Sequence, residues 1–154
     1  MPEPQDETRR RGTFLAEVAA NDRLCDEHYL LCLHLPAFPP TRPGQFVQVQ
    51  CCPPHRRAQG RLVEWPADRL PKLGQPDLVG VEALLRRPFS LAGRRDLAGG
   101  AAALEIIYRV VGSGTGWLER LSPSQPLSLL GPLGNAFALR DGKPAAALVG
   151  GGVG

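Results

Sequence analysis

Residues 103–121 read "ALEIIYRVVGSGTGWLERL", and this stretch decides the fold. Its first half, 103–111, is β-branched and apolar, the strongest strand signal in the chain. "GSGT" (112–115) interrupts it with two glycines. "TGWLERL" (115–121) then has the spacing of a short helix, with Thr115 as N-cap and Trp117, Leu118 and Leu121 facing inward. A strand that runs through a glycine turn into a helix brings backbone amides close together. First-turn amides of this kind form an anion nest, and glycine lets a ligand approach the backbone closely.

Working outward, every neighbouring segment reads as another short strand. "TFLAEVAA" (13–20) puts Phe14, Ala16 and Val18 on one face, with Leu15 and Glu17 opposite. After a turn-rich connection at 21–27, "HYLLCLHL" (28–35) alternates Tyr29, Leu31, Leu33 and Leu35 against His28, Leu30, Cys32 and His34. The prolines of 36–44 cannot continue a ladder. "QFVQVQ" (45–50) sets Phe46, Val47 and Val49 against glutamines, with one slip at Phe46–Val47. "LLRRPFSLAG" (84–93) predicts a strand ending in a glycine turn, and "PLSLLGPLGNAF" (126–137) a strand and a double turn. Six short strands and one helix over residues 13–140 predict an all-β fold, a small antiparallel β-barrel.

Three segments fall outside that pattern. Residues 1–12 read as a flexible leader, its basic Arg9–Arg11 run beside Glu3, Asp6 and Glu7 being a solvated tail. Residues 51–85, rich in Pro, Arg and Gly, read as a long surface loop, an insertion in preference to a lid near a ligand. Residues 144–154 change character: an apolar run, Ala145–Val149, enters "GGGVG", as a buried parallel strand enters a phosphate turn. A domain boundary is expected near Asp141–Pro144.

Composition narrows the function. The chain has 154 residues, 43% of them hydrophobic, with 18 glycines, 16 prolines and 6% aromatics, a mixture of strands and turns rather than a helical bundle. A net charge of +3 with no aromatic interleaving argues against nucleic-acid binding. No apolar run reaches a membrane span, and the N-terminus has no secretory h-region, so a cytoplasmic location with reduced cysteines is expected. Cys25, Cys32, Cys51 and Cys52 lack paired metal-ligand spacing, and "CPPH" (52–55) is a weak match, so no metal site is expected. No nucleophile–base pair suggests hydrolysis.

The chemistry gathers in three stretches. In "RRPFS" (86–90) Arg87 supplies a fork for phosphate oxygens and Ser90 a hydroxyl for a ring nitrogen. Strand alternation points Arg87 and Phe89 one way and Ser90 the other. In "IIYRV" (106–110) Tyr108 offers a ring to stack on and Arg109 a second cation. "GSGT" supplies the nest. In this order on barrel strands, the three form a phosphate-bearing, ring-bearing ligand site.

The run "LLRRPFSL … EIIYRVVGSGT … LLGPLGNAF … ALVGGGVG", with "PGQFVQVQ" (43–50), resembles the FAD-binding domain of the ferredoxin-reductase superfamily. Within that superfamily it resembles the electron-transfer subunits of dihydroorotate dehydrogenases. The resemblance implies a Greek-key barrel that holds FAD. Arg87, Pro88, Phe89 and Ser90 match the flavin motif, the arginine on the pyrophosphate and the serine at the isoalloxazine edge. Ile107, Tyr108 and Arg109 match a second FAD-contacting triplet, and Gly114 and Thr115 the pyrophosphate turn. Gly131–Asn135 resembles the double turn that closes the barrel, and Gly150–Gly154 the first turn of an NAD-binding domain. The family goes on through a Rossmann-like domain and cysteines for a 2Fe–2S cluster. Those NAD and cluster sites are expected to lie outside this sequence, so a truncated NAD-binding domain is expected here, with no catalytic residue. A catalytic dehydrogenase subunit is the implied partner, passing electrons between dihydroorotate oxidation and NAD. The motifs leave room for related flavin subunits of ferredoxin, sulfide or hydrogenase complexes, and for a barrel module without cofactor.

Overall fold

The computed structural model describes residues 11–54, 67, 68, 85–137, 142, 145, 147 and 149. The leader, most of 51–85 and most of 144–154 lie outside the described residues. Ala145, Ala147 and Val149, which are described, are exposed and belong to no strand.

The first two strands form a long ribbon. Strand β1 runs Gly12–Cys25 and β2 runs His28–Leu35, joined through Asp26–Glu27, with Glu27 at φ 60. The expected connection at 21–27 is therefore mostly strand. Register shifts between Val18 and Ala20 and between Arg23 and Cys25 mark bulges that twist the ribbon. They let Asn21 and Asp22 pair with Leu31 and Leu30, with Asn21 half-buried and Asp22 exposed.

The remaining strands are β3 (Phe46–Val49), β4 (Arg87–Ser90), β5 (Gly93–Asp96), β6 (Ala102–Arg109) and β7 (Pro126–Leu133). All pairs are antiparallel, in the order β4-β3-β7-β1-β2-β6-β5. The two outer strands of that order are consecutive in sequence. Only Leu91 and Ala92 separate them, and the Ala92 N–H already donates to the Glu105 carbonyl at 2.8 Å. One run of chain thus pairs with β3 through its first half and with β6 through its second, which closes the sheet into a barrel. The glycine turn expected at Gly93 is instead the start of β5.

Period-2 alternation fills the interior. Val18, Leu31, Leu33, Leu35, Val47, Val49, Leu104, Ile106, Leu127 and Leu129 are all fully buried. Each large side chain so buried contributes on the order of 2 kcal/mol of hydrophobic free energy. Phe46 departs from the expectation. It lies opposite Val47 and Val49, half-buried, where β3 slips its register against β7. There its ring covers Gly134, at which a Cβ would sit 2.9 Å from the ring.

Helix α1 spans Ser113–Glu119 and packs Leu118 into the core, followed by buried Leu121. Its N-cap is Gly112, three residues before the Thr115 that the sequence suggests. Thr115 is the third helical residue and reaches back: its Oγ1 accepts from the N–H groups of Val111 at 2.9 Å and Gly112 at 3.2 Å. In "GPLGN" the first three residues belong to β7, and the chain turns only at Gly134, φ +79. Gly131 is needed for close approach, since a Cβ there would lie 2.9 Å from Val47 Cγ1.

Candidate functional site

The barrel is not laddered all the way round. β6 pairs with β2 along its whole length but with β5 only over Ala102–Glu105. β4 pairs with β3 alone. Beyond the Leu91–Ala92 corner, β4 and the second half of β6 therefore part, and each keeps one strand edge unpaired. A strand edge carries backbone N–H and C=O groups that seek partners.

A cavity of about 660 Å³ occupies this split. Its walls are 87–90 of β4, 107–109 of β6, Val111, and the turn Gly112–Thr115. All nine residues singled out from sequence, Arg87, Pro88, Phe89, Ser90, Ile107, Tyr108, Arg109, Gly114 and Thr115, border this one space. Consecutive residues line it on both strands because it runs along strand edges, so both faces of each strand adjoin it. The volume falls within the range of small-molecule sites, roughly 300–1,000 Å³.

Two adjacent arginines have separate roles. Arg86 turns inward, and its guanidinium donates to the Ser128 carbonyl at 3.1 Å, to Ser128 Oγ at 2.9 Å and to the Gln48 carbonyl at 3.4 Å. It fastens β4 across β3 to β7. Arg87 is exposed and faces the cavity, and no described residue holds its guanidinium by hydrogen bond or ion pair.

Arg109 is engaged. Its guanidinium donates through Nε and Nη2 to Glu27 Oε2 at 3.0 and 2.7 Å. Both side chains are half exposed, so the pair is worth about 1 kcal/mol at most.

Tyr108 contributes to the wall, but its ring is core, 2% exposed. It stacks on Tyr29 at 5.6 Å and receives the edge of Phe89 at 6.3 Å. The expected open stacking face is therefore covered by protein. Burial pushes the Tyr108 hydroxyl up to about 12. Tyr29 is raised as well, chiefly because its hydroxyl donates to Glu119 at 2.6 Å.

The exposed apolar surface of the cavity comes from one residue of the FAD-contacting triplet and one that the sequence reading passed over. Ile107 is 40% and Val111 74% exposed, two β-branched side chains flanking the glycine turn. Val111 itself was not singled out, although an exposed valine beside a glycine turn is a legible signal. Thr115 spends its hydroxyl on the turn, donating also to the Gly112 carbonyl at 3.2 Å. It shapes the wall rather than offering that group outward. The first-turn amides of Ser113, Gly114 and Thr115 have no carbonyl partner within the helix.

The chemistry of this set is one-sided. Among the described residues it offers a cation that none of them holds, amide donors and exposed aliphatic surface, and no described carboxylate lines the cavity. It suits an elongated ligand with an anionic part and a flat apolar part. Among the described residues no group of His, Cys, Asp and Glu side chains could hold a metal ion, and His55 lies outside them. Among the described residues no helix is long and apolar enough to cross a membrane.

No protein-family model matches the chain. Its sequence is similar to the dihydroorotate dehydrogenase B (NAD(+)) electron transfer subunit of Bacillus velezensis, 45% identical over 76 residues, 48% of this chain and 28% of the relative. The subunit of the same name from Caldanaerobacter subterraneus is 29% identical over 144 residues, 94% of this chain and 44% of the relative. The chain thus spans less than half the length of the curated relatives it matches. Among solved structures, the ferredoxin reductase in carbazole 1,9a-dioxygenase, in its FAD apo form, superimposes with a TM-score of 0.54 at 20% identity, covering 86% of this chain and 33% of that one. At that identity the likeness is one of fold, the antiparallel barrel of ferredoxin-reductase type.

Proposed function

We propose, on the premise that this chain is related to the electron transfer subunits of dihydroorotate dehydrogenase B, that its barrel is the FAD-holding part of such a subunit. The observation that carries the reading is the cavity between β4 and β6, where the Arg87 guanidinium, held by no described residue, the glycine turn and the Ile107–Val111 surface meet. The residues present fit the group: cation and amides suit a pyrophosphate, the aliphatic wall and unpaired strand edges suit a flavin ring with polar rim.

When bound, FAD would supply electron transfer in one- or two-electron steps. The chain's own residues have the tasks of binding and orienting. Arg87 neutralises phosphate charge in a fork geometry. Ser90, exposed at the end of β4, has a hydroxyl free to donate to or accept from the ring edge. Gly112–Thr115 lets the phosphates approach the backbone. Phe89 and Tyr108 fill the floor and keep water from beneath the ring. Arg109, held by Glu27, supplies a screened charge at the rim.

In the whole protein this part would pass electrons between a catalytic dehydrogenase subunit that oxidises dihydroorotate and NAD, with a 2Fe–2S cluster and NAD bound elsewhere. That assignment is supported by the names of the sequence relatives.

The test is a titration of FAD into the full chain, followed by quenching of flavin fluorescence. Wild type should quench stoichiometrically. Arg87→Ala should weaken binding at least about tenfold, and Ser90→Ala should shift the flavin absorbance bands with a smaller loss of affinity. A folded wild-type chain that leaves flavin fluorescence untouched would sink the reading.

A further inference from the structure

Asn21 lies on β1, outside the cavity, yet its carboxamide joins two parts of the cavity wall. Its Nδ2 donates to the carbonyls of Leu118 at 2.9 Å, Glu119 at 3.3 Å and Leu121 at 3.2 Å. Its Oδ1 accepts from the Tyr108 hydroxyl at 3.1 Å. The orientation is fixed by chemistry: carbonyl oxygens only accept, so the amino group must face them and the oxygen must face the phenol. The last carbonyls of a helix lack regular intrahelical partners, and Asn21 reaches two of them, on Leu118 and Glu119, and the Leu121 carbonyl just beyond the helix, from nearly a hundred residues away in sequence.

We propose that Asn21 is a positioning residue for the cofactor wall. It fixes the C-terminal end of α1 and the Tyr108 side chain to one point of β1. A helix of this length is a stiff rod of about 10 Å. Its N-terminal turn, Gly112–Thr115, is the wall itself, so anchoring one end of the rod sets the wall's distance from Arg87. The second tie between α1 and the ribbon, Tyr29 to Glu119, is solvent-exposed and does not replace the first. For its ligand the inference rests on the proposed FAD site; the anchoring of α1 does not depend on it.

The experiment compares wild type, Asn21→Ala and Asn21→Asp in the full chain. Hydrogen exchange without ligand should accelerate about tenfold at the α1 amides of Asn21→Ala, while β6 amides keep their protection. FAD affinity should fall about tenfold, whereas riboflavin, which has no phosphate, should lose less than about twofold. Asn21→Asp should be worse than Ala on both counts, because a carboxylate would face three carbonyl oxygens at the negative end of the helix. Unchanged α1 exchange in Asn21→Ala, or a parallel fall for FAD and riboflavin, overturns the proposal. If wild type binds no flavin, the cofactor reading fails while the exchange measurement still decides the role of Asn21. Should Asn21→Ala lose protection throughout, Asn21→Ser, which keeps one donor, carries the same readouts.

Discussion

The run from Arg87 to Asp96 has two halves with opposite fates. The β5 half is laddered to β6, covers fully buried Leu104 and forms a sealed seam. The β4 half is laddered only to β3, and across from it β6 stands free along Ile107–Arg109. The sealed half stores stability and the open half presents chemistry. A barrel can do both because one bend, at Leu91–Ala92, moves a strand from one neighbour to the other.

The comparison is broken most severely on the sealed side. Leu104→Ala should cost about 2–5 kcal/mol in urea unfolding, as an interior leucine removed without collapse of the void. FAD affinity measured where the variant is folded should be unchanged. A cost below about 1 kcal/mol would mean that the seam is not the stable half.

The adjacent arginines test the same division within two residues. Arg86→Ala leaves Ser128 and the Gln48 carbonyl short of a donor and should lower stability by about 1–3 kcal/mol. Arg87→Ala should change stability by no more than about 0.5 kcal/mol while losing FAD. Chemical denaturation and flavin titration on the same two proteins decide it. The reverse assignment would overturn the division of roles.

Tyr108 stands where the halves meet and is read through pH. Its hydroxyl is pushed up to about 12 by burial. An unfolded tyrosine ionises near about 10. The folded chain therefore holds the proton longer, so this contribution to stability is complete below pH about 10 and is lost as pH rises through about 12. A spectroscopic titration of tyrosinate, native against urea-unfolded, should show the native curve displaced to higher pH. Coincident curves would place the Tyr108 ring in water.

The smallest effect belongs to the rim. Glu27→Gln releases Arg109 and should alter stability by less than about 1 kcal/mol. It should raise FAD affinity a few-fold at low salt, and the gain should disappear at high salt. A loss of affinity would show that Glu27 contributes to binding.

Much of this molecule was legible before its fold was known. Alternation in "TFLAEVAA" and "HYLLCLHL" gave the inward faces correctly, because burial follows the period of the strand. The resemblance gathered nine residues that do share one cavity, since its motifs are short and local. The reading failed where long-range pairing overrides local cues. Asn21 and Asp22 look like turn residues and are strand, since bulges and a partner ribbon absorb them. Tyr108 looked available for stacking and is enclosed by Tyr29 and Phe89, from two other strands.

The sequence by itself determined which side chains alternate inward, that the fold is antiparallel and all-β, and which three stretches meet at one cavity. Only the tertiary structure decided that one bent strand closes the barrel and opens the cavity, and that Arg86 is fastened while no described residue holds Arg87. It alone showed Asn21 bracing a helix from across the chain. The reason is physical: alternation is fixed by the geometry of a single strand, whereas the partner of each strand edge and polar group is set by chain brought close only on folding.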